Sequence, residues 1–247
     1  MNRRFSFPLL LCVFASFSAM AQSVPQQAIS RDIITAVSGR NVFIVACTKK
    51  LSLLHGPIWR LKKIFCQSGS GINLGNGKVL SAYHVVDAHE KIFVNNSAEE
   101  IVGFDQKTDL VLLSFKQSNE RLPALSLKTP KSGELILSVG SPTMMSKLSI
   151  EFVTGHKSWS MWWSGLCHGC KLPKGWQTDL PNEGLLTLST SFAGLGSSGG
   201  GQYSVNGELT GVHEGAYADG TSVTISAQDI DTFLRRNGTT LTWSQPQ

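Results

Sequence analysis

Three short stretches of this sequence hold side chains that together can carry out acyl transfer. The first is Gly196-Ser197-Ser198-Gly199-Gly200, a serine in a glycine-dense turn between two strand candidates. Acyl transfer needs an exposed nucleophilic oxygen beside backbone N–H groups that can hold a developing oxyanion. Glycines flanking a serine permit the tight backbone of such a turn. Alone the motif is weak, because ordinary glycine turns look the same. The second is Leu80-Ser81-Ala82-Tyr83-His84-Val85-Val86, downstream of Gly69-Ser70-Gly71-Ile72, which offers an imidazole for general acid–base work. A lone histidine after a strand is more often a surface or packing residue. The third is Asp109, leading directly into Leu110-Val111-Leu112-Leu113. An aspartate there is most often only a strand edge.

The elements that must position these residues read as one short strand after another. Segments 41–48, 62–74, 78–82, 91–94, 100–104 and 110–115 are rich in β-branched residues and separated by Gly, Asn and Asp. Such spacing points to a barrel or sandwich. Lys128-Thr129-Pro130-Lys131-Ser132-Gly133 interrupts the series and reads as a linker. A second series follows over 134–140, 147–155, 184–190, 200–205, 208–212 and 222–225. Helical periodicity is clearest over 227–236, where Ile230, Phe233 and Leu234 share one face and Gly238 ends the run. The Trp-, Gly- and Cys-rich stretch 158–176 fits no strand template and reads as a long surface loop.

The N-terminus reads as an export signal. Arg3 and Arg4 precede an apolar run through Phe17, and Ala19-Met20-Ala21 supplies the small-x-small cleavage pattern. The run is too short to span a bilayer, so no membrane insertion is expected. Removing residues 1–21 leaves about 226 of the 247 residues, and the formal charge falls from +5 to about +3. That surplus is scattered rather than gathered into a basic stripe, which argues against nucleic acid as a partner. Four cysteines remain, Cys47, Cys66, Cys167 and Cys170, an even number in an exported chain. Cys47 and Cys66 lie on successive strand candidates within reach of one another if those strands pair antiparallel. Cys167-His168-Gly169-Cys170 favours a local disulfide, since a lone C-x-x-C supplies only two thiolates for a metal. No cofactor and no metal are called for. An esterase of another fold is disfavoured, because no Gly-x-Ser-x-Gly elbow sits between a strand and a helix.

Taken together and in this order, His84, Asp109 and Ser198 resemble the catalytic residues of trypsin-like (chymotrypsin-fold) serine proteases, and the motifs around them are most similar to bacterial HtrA-type catalytic domains. The likeness runs from about Asn41 to Arg236 and includes Asn206-Gly207-Glu208-Leu209-Thr210-Gly211-Val212. It implies an all-β fold of two six-stranded β-barrels with the active site in the cleft between them, and a short C-terminal helix. The expected division is 1–21 signal peptide, 22–40 N-terminal arm or short helix, 41–130 first lobe and 131–247 second lobe with the helix. His84 is then the general base, Asp109 its orienting partner and Ser198 the nucleophile. The N–H groups of Gly196 and Ser198 form the oxyanion hole. His213 after Gly211-Val212 resembles the histidine of glutamate- and glutamine-selective relatives, and Phe192 falls near the floor of the same pocket. The implied activity is a secreted or periplasmic serine endopeptidase acting on protein or peptide, with oligomeric state open. The alternative is a non-catalytic module of the same fold that binds peptides. The sequence departs from the family pattern at Gly201 where Pro is common, Ser197 where Asp or Asn is usual, Tyr83 for a smaller residue and Val85 for a cysteine, and Gly201 and Tyr83 are the departures that keep that alternative open. Ser197, being uncharged, also rules against activation by an ion pair with a new amino terminus. No PDZ domain of the kind HtrA proteins carry is expected in the residues that follow Arg236.

Overall fold

Alternation of buried and half-buried residues builds the first strand. In β1 (Asn41–Leu53), Val42, Ile44 and Ala46 are buried while Asn41, Phe43 and Val45 between them are only half-buried. This is the period of two expected where one face of a strand meets a core. The computed structural model describes residues 29–53, 60–116, 122, 124–142, 145–158, 185–190, 194–216 and 219–244. The export segment 1–21, Phe192, Cys167, Cys170 and nearly all of the stretch read as a surface loop lie outside these described residues.

After β1 come β2 (Arg60–Asn73), β3 (Lys78–Ala82), β4 (Lys91–Val94), β5 (Ser97–Glu99), β6 (Ile101–Asp105) and β7 (Leu110–Ser114). They form a sheet of seven strands in the order β5-β4-β1-β2-β3-β7-β6. Cys47 on β1 stands directly opposite Cys66 on β2, and the two form a disulfide with their Cα atoms 4.1 Å apart.

The second sheet contains β8 (Ser126–Leu127), β9 (Leu135–Gly140), β10 (Lys147–Ser158), β11 (Leu185–Ser189), β12 (Gly201–Ser204), β13 (Leu209–Ala216), β14 (Ser222–Ser226) and β15 (Thr242–Trp243). Pairing of β12 with both β9 and β13 closes β9, β10, β11, β14, β13 and β12 into a ring. The two-lobe all-β architecture expected from the sequence is therefore present. The first lobe differs in detail: it has seven strands, and among the described residues no pairing joins β5 to β6.

Leu110 to Leu113 are all buried, which a one-sided strand would not need. Val111 and Leu113 pack into the first lobe with Val42, Ile44 and Val79. Leu110 and Leu112 instead join Leu80, Leu137, Val212 and Phe233 in a core shared with the second lobe. A strand buried on both faces reads as an unbroken apolar run. The same shared core takes one face of each helix. In α1 (Arg31–Gly39), Val37 is buried and Ile33 packs beside it; Ser30 caps the helix by accepting from the Asp32 N–H. In α2 (Ala227–Arg236), Ile230, Phe233 and Leu234 are buried, with Ser226 as N-cap, Arg235 and Arg236 in the last turn, and Gly238 at φ 65° just beyond. Each of these end residues satisfies or complements a helix terminus.

Candidate active site

Asp109 grips the His84 segment at three points. Its backbone C=O accepts from the Tyr83 N–H at 2.8 Å. Its Oδ1 accepts from the His84 N–H at 2.8 Å, and its Oδ2 lies 2.6 Å from His84 Nδ1. A left-handed backbone at Asp109, φ 52°, turns main chain and side chain toward the same segment. Such a conformation costs a non-glycine residue about 1 kcal/mol or more and persists only where the surroundings enforce it. The doubly buried β7 that begins at the next residue is that enforcement. His84 itself lies in a short 3-10 turn (Tyr83–Val85) at the end of β3. Its side chain is 44% exposed, while that of Asp109 is 13% exposed.

Burial alone lowers the proton affinity of the His84 ring, but it is outweighed. The hydrogen bond and charge of Asp109, together with the charge of Glu214, hold the ring above the ordinary imidazole value of 6.5.

Ser198 comes from the second lobe, on the turn before β12. That turn is fixed from within: Ser197 N–H donates to Gly194 C=O, Gly199 N–H to His213 C=O and Gly200 N–H to Ser197 C=O, at 2.7 to 2.9 Å. Among the described residues, neither the Gly196 nor the Ser198 N–H is taken up by a backbone carbonyl. The Ser198 hydroxyl donates to Glu214 C=O at 3.3 Å. Ser198, His84, Gly196, Gln67, Leu195 and Gly215 line one open cleft of about 550 Å³. His84, held by Asp109, and Ser198 thus line the same cleft, one from each lobe.

A residue without an assigned role in the sequence reading holds the two halves together. Ser70 on β2 is fully buried. Its N–H donates to Ser198 C=O at 2.8 Å, its Oγ donates to Gly196 C=O at 2.6 Å, and the Ser141 N–H donates to that Oγ at 2.7 Å. Its carbonyl accepts from Ser81 Oγ at 2.7 Å. The signal for it was present: a serine between two glycines inside an apolar strand marks a close backbone approach. Gly199, at φ 84°, answers from the other side, since a Cβ there would lie 2.2 Å from Ser70 O and 2.1 Å from Ser81 Oγ.

His213 lies apart from the cleft lining. It is 2% exposed, its Nδ1 is 3.2 Å from Ser222 Oγ, and it borders a cavity of about 10 Å³ with Ser138, Gly140, Lys147 and Ser197. Burial pushes its pKa down, with the charge of Glu151 acting in the opposite sense. Glu151, fully buried, accepts from Ser149 Oγ at 2.9 Å and Ser189 Oγ at 2.6 Å. Two of the sequence departures have physical explanations. Tyr83 does not crowd the cleft; it stacks on Phe104 with ring centroids 4.9 Å apart. Any Cβ at Gly201 would lie within 2.6 Å of the buried Tyr203 ring, which occupies the space a proline would need.

Two β lobes, one supplying a histidine–aspartate pair and the other a serine in a glycine turn, define the trypsin-like two-lobe class. The family follows directly. Residues 69–212 match the family model described as a trypsin-like peptidase domain, and the chain belongs to that family. It is 25% identical over 209 residues to serine protease HTRA1 of Xenopus tropicalis, covering 78% of this chain and 42% of that protein. To a probable periplasmic serine endoprotease, DegP-like, of Hahella chejuensis it is 27% identical over 161 residues, covering 61% of this chain and 30% of that one. The chain thus spans less than half the length of these curated relatives. In fold it is similar to the active form of the Rv3671c protease of M. tuberculosis, with TM-score 0.64 and 17% identity over 87% of this chain and 88% of that one. It is also similar to the HtrA-type protease AlgW with a decapeptide, with TM-score 0.58 and 18% identity over 80% of this chain and 65% of that one.

Proposed function

We propose that this chain is a serine endopeptidase in which Ser198 attacks, His84 moves the proton and Asp109 orients and charges the base. The observation that carries this reading is the two-point His84–Asp109 contact on the same cleft as Ser198. In the first step Ser198 Oγ bonds to the scissile carbonyl carbon and its proton passes to His84 Nε2. For this the hydroxyl must leave Glu214 C=O and turn to the ring, and such bonds commonly tighten only when substrate is present. The carbonyl oxygen becomes an oxyanion held by the Gly196 and Ser198 N–H groups. Collapse breaks the C–N bond, and His84 returns the proton to the leaving amine. Water then hydrolyses the acyl-enzyme by the same route. One oxyanion donor is typically worth about 10²–10³-fold in rate. To the pocket that takes the residue before the cut we assign Phe192, which lies outside the described residues, and His213, which is buried and borders a small cavity with Ser197 rather than the cleft itself.

An extracytoplasmic location, periplasmic or secreted, is part of the proposal. It is supported by the apolar N-terminal run and by the Cys47–Cys66 disulfide. The competing reading, a peptide-binding module without catalysis, is favoured only by the engagement of the Ser198 hydroxyl with Glu214. Fluorophosphonate labelling decides between them. Covalent modification at Ser198, lost in His84→Ala, together with casein cleavage lost in Ser198→Ala, is the expected result. An unlabelled Ser198 in folded protein overturns the proposal.

A further inference from the structure

Strand β13 carries one residue more than its partner β14 at the edge of the cleft. His213 pairs with Thr224 and Gly215 with Val223, so Glu214 is the extra residue of a β-bulge. A bulge breaks the alternation of faces and re-aims the side chain it carries, and bulges gather beside active sites for that reason. The re-aimed group here is a carboxylate. One oxygen of Glu214, one ring nitrogen of His84 and one carboxylate oxygen of Asp109 all lie within 4.8 Å of one another. The backbone of the same residue accepts the Ser198 hydroxyl. Glu214 therefore faces the base through its side chain and the nucleophile through its carbonyl.

We propose that Glu214 is a second anionic partner of His84, a positioning residue that with Asp109 holds the imidazolium formed when Ser198 gives up its proton. This rests on the triad proposed above. The physical case is Coulombic. Two carboxylates this close repel one another, and the arrangement is relieved when a positive ring stands beside both. Asp109 also holds the ring by direct hydrogen bonding, whereas Glu214 contributes through charge. From β2 the cleft neighbours of His84 are the uncharged Gln67 and Ser68. On its own turn, the Tyr83 hydroxyl meets Gln106 and the His89 ring meets the Asp87 carbonyl. Asp109 and Glu214 are thus the charged groups that act on the ring among the described residues. A stronger base speeds proton removal at neutral to alkaline pH and loses activity earlier on acidification.

Glu214→Gln keeps the shape and removes the charge. In that variant the acid limb of kcat/KM is expected to move to lower pH. The variant-to-wild-type ratio then rises about threefold or more between about pH 8 and about pH 5.5. Glu214→Thr, which suits a strand, serves the same comparison should the glutamine variant fold poorly. The second readout is the NMR titration of the His84 ring in Ser198→Ala protein, with and without Glu214→Gln, where the midpoint is expected to fall. That titration needs no turnover, so a protein that never cleaves peptides would sink the protease reading and still test Glu214. An unchanged or raised His84 midpoint overturns the proposal, as does a loss of kcat/KM by one constant factor at every pH.

Discussion

His213 and Glu214 are chain neighbours with opposite surroundings, and the difference sets what each can do. Glu214 is half-buried with a carboxylate oxygen within 4.8 Å of a His84 ring nitrogen, whereas His213 is buried in the second lobe. Burial holds the His213 ring neutral at neutral pH, because its pKa is pushed down from 6.5 despite the charge of Glu151. A neutral imidazole still donates one hydrogen bond, but it lacks the charge that would favour a carboxylate over an amide. For the acidic-or-amide preference expected from the sequence, a neutral His213 ring would favour the amide. Cleavage-site profiling with a peptide library should show Gln enriched before the cut, with Glu weaker, and the enrichment should vanish in His213→Ala. A wild-type profile without Gln, or a variant profile identical to it, removes His213 from the pocket.

At the scale of elements, β2 reaches across the lobe junction to hold the turn before β12. The Ser70 hydroxyl fixes the Gly196 carbonyl, and its N–H fixes the Ser198 carbonyl. Fixing a peptide carbonyl also fixes the direction of the N–H groups around it, which is what an oxyanion site requires. Ser70→Ala removes the side-chain contact and keeps the main-chain one. We expect kcat to fall by about ten- to a hundredfold, with KM nearly unchanged. Affinity for a peptide boronate, which mimics the tetrahedral state, should fall by a similar factor. A fall in KM-governed binding with kcat intact would show that the contact serves substrate binding instead.

Over the whole molecule, acid should loosen both lobes together. Glu99 in the first lobe accepts from the Lys116 N–H at 3.0 Å and Ser114 Oγ at 2.7 Å. Glu208 in the second accepts from Ser204 Oγ at 2.7 Å. Burial raises the pKa of each, yet these hydrogen bonds and nearby lysines outweigh it and hold both below 4.5. A carboxylate with a depressed folded pKa adds stability that is complete above its unfolded value and is lost as pH falls through the folded one. Melting temperature should therefore drop on acidification below about pH 4.5. Glu99→Gln should lower it by a few degrees at neutral pH and by almost nothing at about pH 3. A gap that stays constant across that range would contradict the linkage.

Much of this molecule was legible in the residue order. The strands over 78–82 and 91–94 and the helix over 227–236 lie where the pattern puts them, because period-two and period-3.6 burial are local consequences of backbone geometry. His84, Asp109 and Ser198 were singled out by three motifs, each weak alone, whose order resembles that of trypsin-like proteases. The bounds of the helix Arg31–Gly39 within the expected N-terminal arm or short helix, and the short strands at 97–99, 126–127 and 242–243, were not legible. They are stabilised chiefly by distant partners, as when Ser126 and Leu127 pair with Thr242 and Trp243. Ser70 and Glu214 belong to the same class. The glycines beside Ser70 mark a close backbone approach, but not that the partner is the Gly196 carbonyl, 126 positions away. Nor does anything near Glu214 say that a bulge will turn it toward an imidazole from the other lobe. Local periodicity is written in neighbouring residues, whereas the field around His84 is a sum over groups that only the packing of two lobes brings together.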